Sequence, residues 1–457
     1  MKTARVNIHA VRSINFRTDA SYHLSEGQNV QRCIAASPYP LTTIKEVSED
    51  IFIGNRAKRV YVKDSNHGIP FLSSSDILKA DLDNVKLASK KYTPEIERMS
   101  LKKGWTLISR SGTIGNCAFA NAKHAQKLAS EHVIRLVPNN ILRGGLVYAY
   151  LASKYGHSLL TQGTFGAVIQ HIEPAFVGSI AIPFFPNSFQ QEVDNLVQEA
   201  ARLREEATCA LEKAKDKVSK CCNNEFDNLE CSQTNIVSVS SIVKSFKTRL
   251  DPPVYINKGV AWSKRQKHAK RLGDLNIKIW YPGIFKRAYV KNGLPYIKGS
   301  SVFNVNPFIS CDHLSKARTP QLEDLWLKEG MLLISCAGAC GLVKMITKEY
   351  EDKGAIGSPD IIRLISNDEL CTTEYLYVYL QLQHVYDFMQ SLKYGSVIER
   401  FDIGNVENIP IVIPSKELSE DITAIVRQYM DCTYRAFNAE EKAIHMVEQE
   451  IEKWNKH

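Results

Sequence analysis

Residues 104–119, GWTLISRSGTIGNCAF, are answered by residues 330–345, GMLLISCAGACGLVKM. Gly104, Leu107, Ile108, Ser109, Gly112 and Gly115 return as Gly330, Leu333, Ile334, Ser335, Gly338 and Gly341. The offset, 330 against 104, is 226 residues in a chain of 457. The echo continues outward in order. RTDASY (17–22) is answered by RLDPPVY (249–255), and RVYVKDSNHGIPFLSSSDI (59–77) by RAYVKNGLPYIKGSSVF (287–303). SEHVIRLVPN (130–139) is answered by SPDIIRLISN (358–367), FGAVIQHI (165–172) by YGSVIERF (394–401), and VGSIAIPFFP (177–186) by VENIPIVIP (406–414). An internal repeat of this length means two like modules. A catalytic loop has little reason to occur twice in one chain, whereas a binding module often does.

Each copy has one internal plan. Short apolar or alternating runs broken by Gly, Pro, Asn and Asp predict strands, and AYVKNGLPYI predicts an Asn-Gly turn between two of them. A helical passage follows, LVYAYLASKYG in one copy and YLYVYLQLQHVYDFMQ in the other. Each copy then ends in a Pro-punctuated strand and a long helix. Ser188 with Gln191 reads as a capping box opening the first long helix. Val193, Leu196, Ala200, Leu203, Ala207, Ala210 and Ala214 follow 3-4 spacing, and in the second helix Ile422, Ile425, Tyr429, Cys432, Ala436, Ala439, Ala443 and Met446 do the same. Both seams fit a coiled coil whose alanines permit close backbone approach. The expected fold is α+β: two pseudo-repeated mixed modules, mostly β with short helices, and two long helices pairing as an antiparallel coiled coil. The expected boundaries are 1–187 for the first module, 188–231 for the first long helix and linker, 232–413 for the second module and 414–457 for the second long helix. At ~1.5 Å per residue such a helix spans about 50 Å, which suits a spacer.

The hydrophobic content of 44% supports a sizeable core. Lys and Arg exceed Asp and Glu by a net charge of +9, a lean toward polyanionic partners. The 11 cysteines are odd in number and lack CxxC spacing, so free thiols in a reducing cytoplasm are expected and zinc is not. The start, MKTARVNIHAVRSINFR, has no apolar segment of a secretory signal. No apolar run approaches the ~20 residues of a membrane helix.

The base is clustered. Arg56, Lys58, Arg59 and Lys63 share one acid-poor window, and Lys264, Arg265, Lys267, Lys270 and Arg271 form what reads as its match, with Lys286, Arg287, Lys291 and Lys298 beyond. Trp262, Tyr281, Tyr289 and Tyr296 are interleaved. Lysine and arginine neutralise phosphates, so these windows, with Arg110, are the candidate DNA contacts. For any single residue, a solvated surface or a core aromatic remains the plainer alternative. Catalytic signatures are weak. DPPVY at 251–255 resembles an amino-methyltransferase loop, but no glycine-rich cofactor loop accompanies it, and its counterpart RTDASY lacks the prolines. SPD at 358–360 has SEH as its counterpart. SGTIG and CAGACG lack both the P-loop lysine and the GxSxG elbow. Ser109 and Ser335 therefore read as turn residues, and no catalytic residue is assigned.

The order module, long helix, module, long helix, with the RxD…Y openings (Arg17, Asp19; Arg249, Asp251), the LISRSGTIG and LISCAGACG strands, and IPFFPNSFQQ and IPIVIPSKEL before the helices, resembles the specificity subunit of a type I restriction–modification system. The resemblance covers nearly the whole chain. The second pre-helix segment departs from the pattern in having no glutamine matching Gln191. The resemblance implies that each module reads one half of a bipartite double-stranded DNA site and that the helix pair sets the gap between the halves. It also implies two modification subunits as partners, which methylate adenine with S-adenosylmethionine, and, where the system has them, restriction subunits that use ATP. This chain would bind neither cofactor, hold no metal and catalyse nothing. The alternatives are the equivalent subunit of a type II or methylation-only system, a self-contained DNA methyltransferase, or a scaffold that binds no nucleic acid.

Overall fold

The computed structural model describes residues 6, 18, 20–222 and 236–454, apart from 57, 83, 165–169, 245 and 398. Arg17, Asp19 and all of FGAVI (165–169) lie outside them. The chain divides into two compact units: Met1–Glu205 with Asn304–Asn306 and Arg435–His457, and Glu206–Phe303 with Pro307–Tyr434.

The first unit is built on a four-stranded antiparallel sheet, in the order Ser48–Ile53, Val133–Pro138, Thr106–Ser109, Cys117–Phe119. Its central strand, TLIS, is buried on both faces: Leu107 packs with Leu72, Leu101 and Val133, and Ile108 with Ile134, Leu146 and Val177. Side chains alternate across a strand, so an unbroken apolar run requires two cores. A smaller sheet joins Tyr61–Val62, Leu87–Ser89, Gly68–Leu72 and, in parallel, Leu128–Ala129. A two-stranded piece pairs Leu41–Thr43 with Ala181–Pro183.

The second unit repeats all three. Its main sheet runs Ile277–Trp280, Ile361–Ser366, Leu332–Ser335, Val343–Met345. Ile108 opposite Ile134 returns as Ile334 opposite Ile362, so register as well as order is kept. The smaller sheet joins Asp312–Leu314, Tyr289–Ile297 and, in parallel, Ile356–Gly357, and Lys270–Arg271 pairs with Pro410–Ile411. The expected Asn292-Gly293 hairpin turn is absent. The strand continues through it with a register shift, so that Tyr289 and Leu294 both pair with Leu314. Gly293 is required there by crowding: a Cβ would stand 2.3 Å from the Leu314 carbonyl oxygen.

The long helices are Asn187–Cys221 and Lys416–Lys453. The first unit holds the start of one and the end of the other; the second unit holds the remaining halves. Two helices that pair start-to-end in this way are antiparallel. In the first unit Val193, Val197 and Ala201 share a core with Ala443, Val447 and Ile451, and in the second Lys217 pairs with Asp421 at 2.5 Å. Val193, Ala200, Leu203, Ala207, Ile422, Tyr429, Ala436 and Ala443 are buried, whereas Leu196 and Ile425 are half-buried beside buried Val197 and Val426. Strict 3-4 spacing fails at those two positions because the helix covers its module's core as well as its partner helix. That demands a stripe wider than a coiled-coil seam. The Ser188–Gln191 capping box does not form. Ser188 already lies inside the helix, Gln191 donates to Asn195, and buried Gln190 reaches back to the Phe185 carbonyl at 2.8 Å. Ser415 does cap the second helix, accepting from the Leu418 N–H at 3.2 Å.

Candidate nucleic-acid interface

The recurring glycine stretches are tight connections between strands. Gly112 and Gly115 have φ of +77° and +81°, and Gly338 and Gly341 +72° and +84°, a region that favours glycine. The Gly115 N–H donates to the Ser109 carbonyl at 2.9 Å and the Gly341 N–H to that of Ser335 at 2.9 Å. The hydroxyls stay within the turn: Ser109 meets Thr113 at 2.9 Å, and Ser335 donates to the Ala339 carbonyl at 2.5 Å. Neither faces a base, as a nucleophile would require.

DPPVY lies at a helix start. Asp251 is gripped by Arg249, with Nε to Oδ1 at 2.7 Å, and Pro253 opens the short helix Pro253–Ile256. The element before it is a 3₁₀ turn, Phe246–Thr248, whereas the methyltransferase loop follows a buried strand. Among the described residues no group of three His, Cys, Asp or Glu could hold a metal. Cys336 and Cys340 are buried thiols, and burial pushes Cys336 up to about 12.

The basic residues separate into held and unheld groups. Arg110 is largely buried and tied to Glu173 and, at 3.1 Å, to the Ile172 carbonyl, so its charge serves the fold. Lys298 pairs with Asp312 at 2.6 Å and Arg271 with Asp274 at 2.8 Å. Arg56, Lys58, Lys63, Lys264, Lys267, Lys270, Lys286 and Lys291 are exposed and make no ion pair among the described residues. Exposed Arg265 ends the helix Lys258–Arg265. Of the interleaved aromatics, Trp262 and Tyr296 are core, while Tyr281 and Tyr289 are exposed.

The structure decides between the two pairings the sequence offered for the 56–63 window, against Lys264–Arg271 and for the repeat alignment with RAYVK. Lys270–Arg271 takes the sheet position of Leu41–Thr43, and the helix before it, Lys258–Arg265, takes that of the helix Glu26–Ala35. The counterpart of Lys58–Lys63, KRVYVK, is therefore Lys286–Lys291, KRAYVK. In both, the arginine is held from beneath. Arg59 lies over the Phe71 ring at 5.3 Å and pairs with Glu131 at 2.6 Å. Arg287 lies over the Tyr296 ring at 5.5 Å, donates to the Tyr296 hydroxyl at 2.7 Å and faces Asp360 at 4.0 Å. Phe71 and Tyr296 are equivalent, in GIPFL and GLPYI. Burial would drive the Glu131 carboxyl up, but Arg59 and its hydrogen bonds hold it below the usual range.

Two buried arginines were missed in the sequence. Arg135 donates to the carbonyls of Ser130, Val133, Met99 and Ala129, and Arg363 to those of Ser358, Ile361 and Gly357. Both are fully buried, and burial lowers each to about 10. The signal was present as the shared IRL of VIRLVP and IIRLIS.

Residues 42–195 and 271–444 match the family model described as the type I restriction modification DNA specificity domain. No curated protein sequence matches the chain. Among solved structures, the S subunit of a type I restriction–modification system from M. genitalium is similar at 12% identity and a TM-score of 0.35, over 92% of this chain and 96% of that one. The HsdS subunit from Thermoanaerobacter tengcongensis is similar at 15% identity and a TM-score of 0.29, over 91% and 96%.

Proposed function

Since the chain belongs to the type I restriction modification DNA specificity domain family and carries that domain twice, we propose that it is the recognition subunit of an adenine-methylating complex that reads a bipartite, asymmetric site in double-stranded DNA. The observation that carries this reading is the duplication: one sheet plan occurs in both units, each joined to half of each long helix. Two similar modules with different surfaces suit two different half-sites. The helix pair sets the unread gap and docks two modification subunits, which bring S-adenosylmethionine; restriction subunits, where present, bring ATP. This chain contributes no catalytic group. Phosphate contacts fix register on the duplex, and base-edge contacts carry sequence.

The test is to map methylated adenines in the DNA of cells expressing this chain with its modification subunits. Methylation should fall on two unlike half-sites at one fixed spacing. Methylation at a single undivided site, or by the isolated chain with S-adenosylmethionine, would refute the proposal.

A further inference from the structure

The Lys-Arg-x-Tyr-Val-Lys strand has a property that the fold does not require. Repeated buried residues such as Arg135 and Arg363 are explained by the shared scaffold. Repeated exposed residues are not, because surface substitutions away from special features change stability by only about 0.5 kcal/mol. Yet Lys58, Tyr61 and Lys63 return as Lys286, Tyr289 and Lys291, and all six are exposed. Tyr61 keeps 41% of its surface in water, with its ring edge-on to Phe71 at 6.1 Å, and Tyr289 keeps 56%. The arginine between them is fixed over an aromatic ring and beside a carboxylate in both units, which steadies the strand that carries the lysines.

Two modules that read different half-sites must differ where they touch bases. What they share on the surface cannot distinguish sequences; it serves what both modules meet alike, a like modification subunit or the sugar–phosphate backbone, and four exposed lysines with no ion pair among the described residues favour the phosphates. Resting on the DNA-recognition reading above, we propose that KRVYVK (58–63) and KRAYVK (286–291) are equivalent phosphate-holding strands, with the lysine ammonium groups and tyrosine hydroxyls donating to backbone oxygens. Base readout then falls to surfaces that the modules do not share. The helix Lys258–Arg265, whose counterpart Glu26–Ala35 carries different side chains, is one such surface.

The experiment uses the full chain assembled with its modification subunits and a mixed-sequence duplex, with affinity measured across a salt series. Changing Lys58, Lys63, Lys286 and Lys291 together to alanine should weaken binding and reduce the slope of log affinity against log salt by ~0.9 per lost contact, about 3–4 in all. The same positions changed to arginine should keep the slope, which separates lost charge from lost fold. The preference for the methylation-mapped target over mixed sequence should be unaltered in both variants. An alanine variant with the wild-type slope would overturn the proposal, as would one whose target preference collapsed, since the lysines would then be readers. If the wild-type complex bound no duplex at low salt, the functional reading itself would fall, a result distinct from either.

Discussion

The two units share their architecture and differ in how each module meets the long helix Lys416–Lys453. In the first, the Tyr148 hydroxyl donates to Glu440 at 2.7 Å, and Arg204 grips both Glu440 oxygens at 3.0 and 2.8 Å. Glu440 is buried, and although burial drives its carboxyl up, Arg204 and Tyr148 hold it below the usual range. In the second, the equivalent tyrosine, Tyr377, packs its ring on Tyr429 at 5.7 Å. Deeper in each unit the difference vanishes: the Tyr150 hydroxyl donates to the Ala181 carbonyl and the Tyr379 hydroxyl to that of Pro410, both at 2.7 Å. A duplicated scaffold keeps the contacts that close its backbone and changes the side chains at its edges. One edge became ionic, the other aromatic.

That contrast can be broken most sharply at the ion pair. Arg204→Met strands a buried carboxylate and should cost about 3–5 kcal/mol. The loss should appear as faster hydrogen exchange in Asn187–Glu205 and Arg435–Lys453. Adding Glu440→Leu should recover most of it; if the double variant were no more stable than the single, the pair would not be the seam's anchor.

The shared part should answer equally in both units. Arg135→Met and Arg363→Met each leave buried carbonyls unmet, at a cost on the order of 3 kcal/mol. Arg135 has Met99 as an additional acceptor, so its loss should be slightly the larger. Proteolysis that cut one unit readily and spared the other would show that the two arginines are not equivalent.

Acid should affect the units alike at first and then separate them. Burial lowers His124 in the first unit and His384 in the second to about 4. A histidine held neutral stabilises fully above its unfolded value near 6.5 and loses that contribution as pH falls toward 4. Each unit should weaken by on the order of 2–3 kcal/mol over that range. Below about 4.3 both units lose further, the second through Asp402, which despite burial Lys247 holds below the usual carboxylate range, and the first by more through the fully buried Glu440, because each such contribution is present above the unfolded value and disappears as the carboxyl takes a proton. Exchange rates followed from pH 7 to 3 should diverge only at the acid end; divergence near pH 6 would point to the histidines instead.

Much of this molecule could be read along the chain. Order and spacing of LISRSGTIG against LISCAGACG gave the duplication, and 3-4 spacing gave most of the helix seam, because both are one-dimensional patterns that survive without knowledge of what packs where. Leu196 and Ile425 escaped that reading because a helix touching both a module and another helix buries a wider arc than spacing alone implies. The basic windows were mismatched for a related reason. Lys264–Arg271 and Arg56–Lys63 are alike in composition, and composition does not record which strand lies beside which. The repeat had already set RVYVK (59–63) against RAYVK (287–291); sheet position decided for that pairing, and the fold placed Arg110 on Glu173 and Arg135 among carbonyls. A charged side chain has the same letter whether water or the fold surrounds it; the difference is set by residues distant in sequence that fold against it.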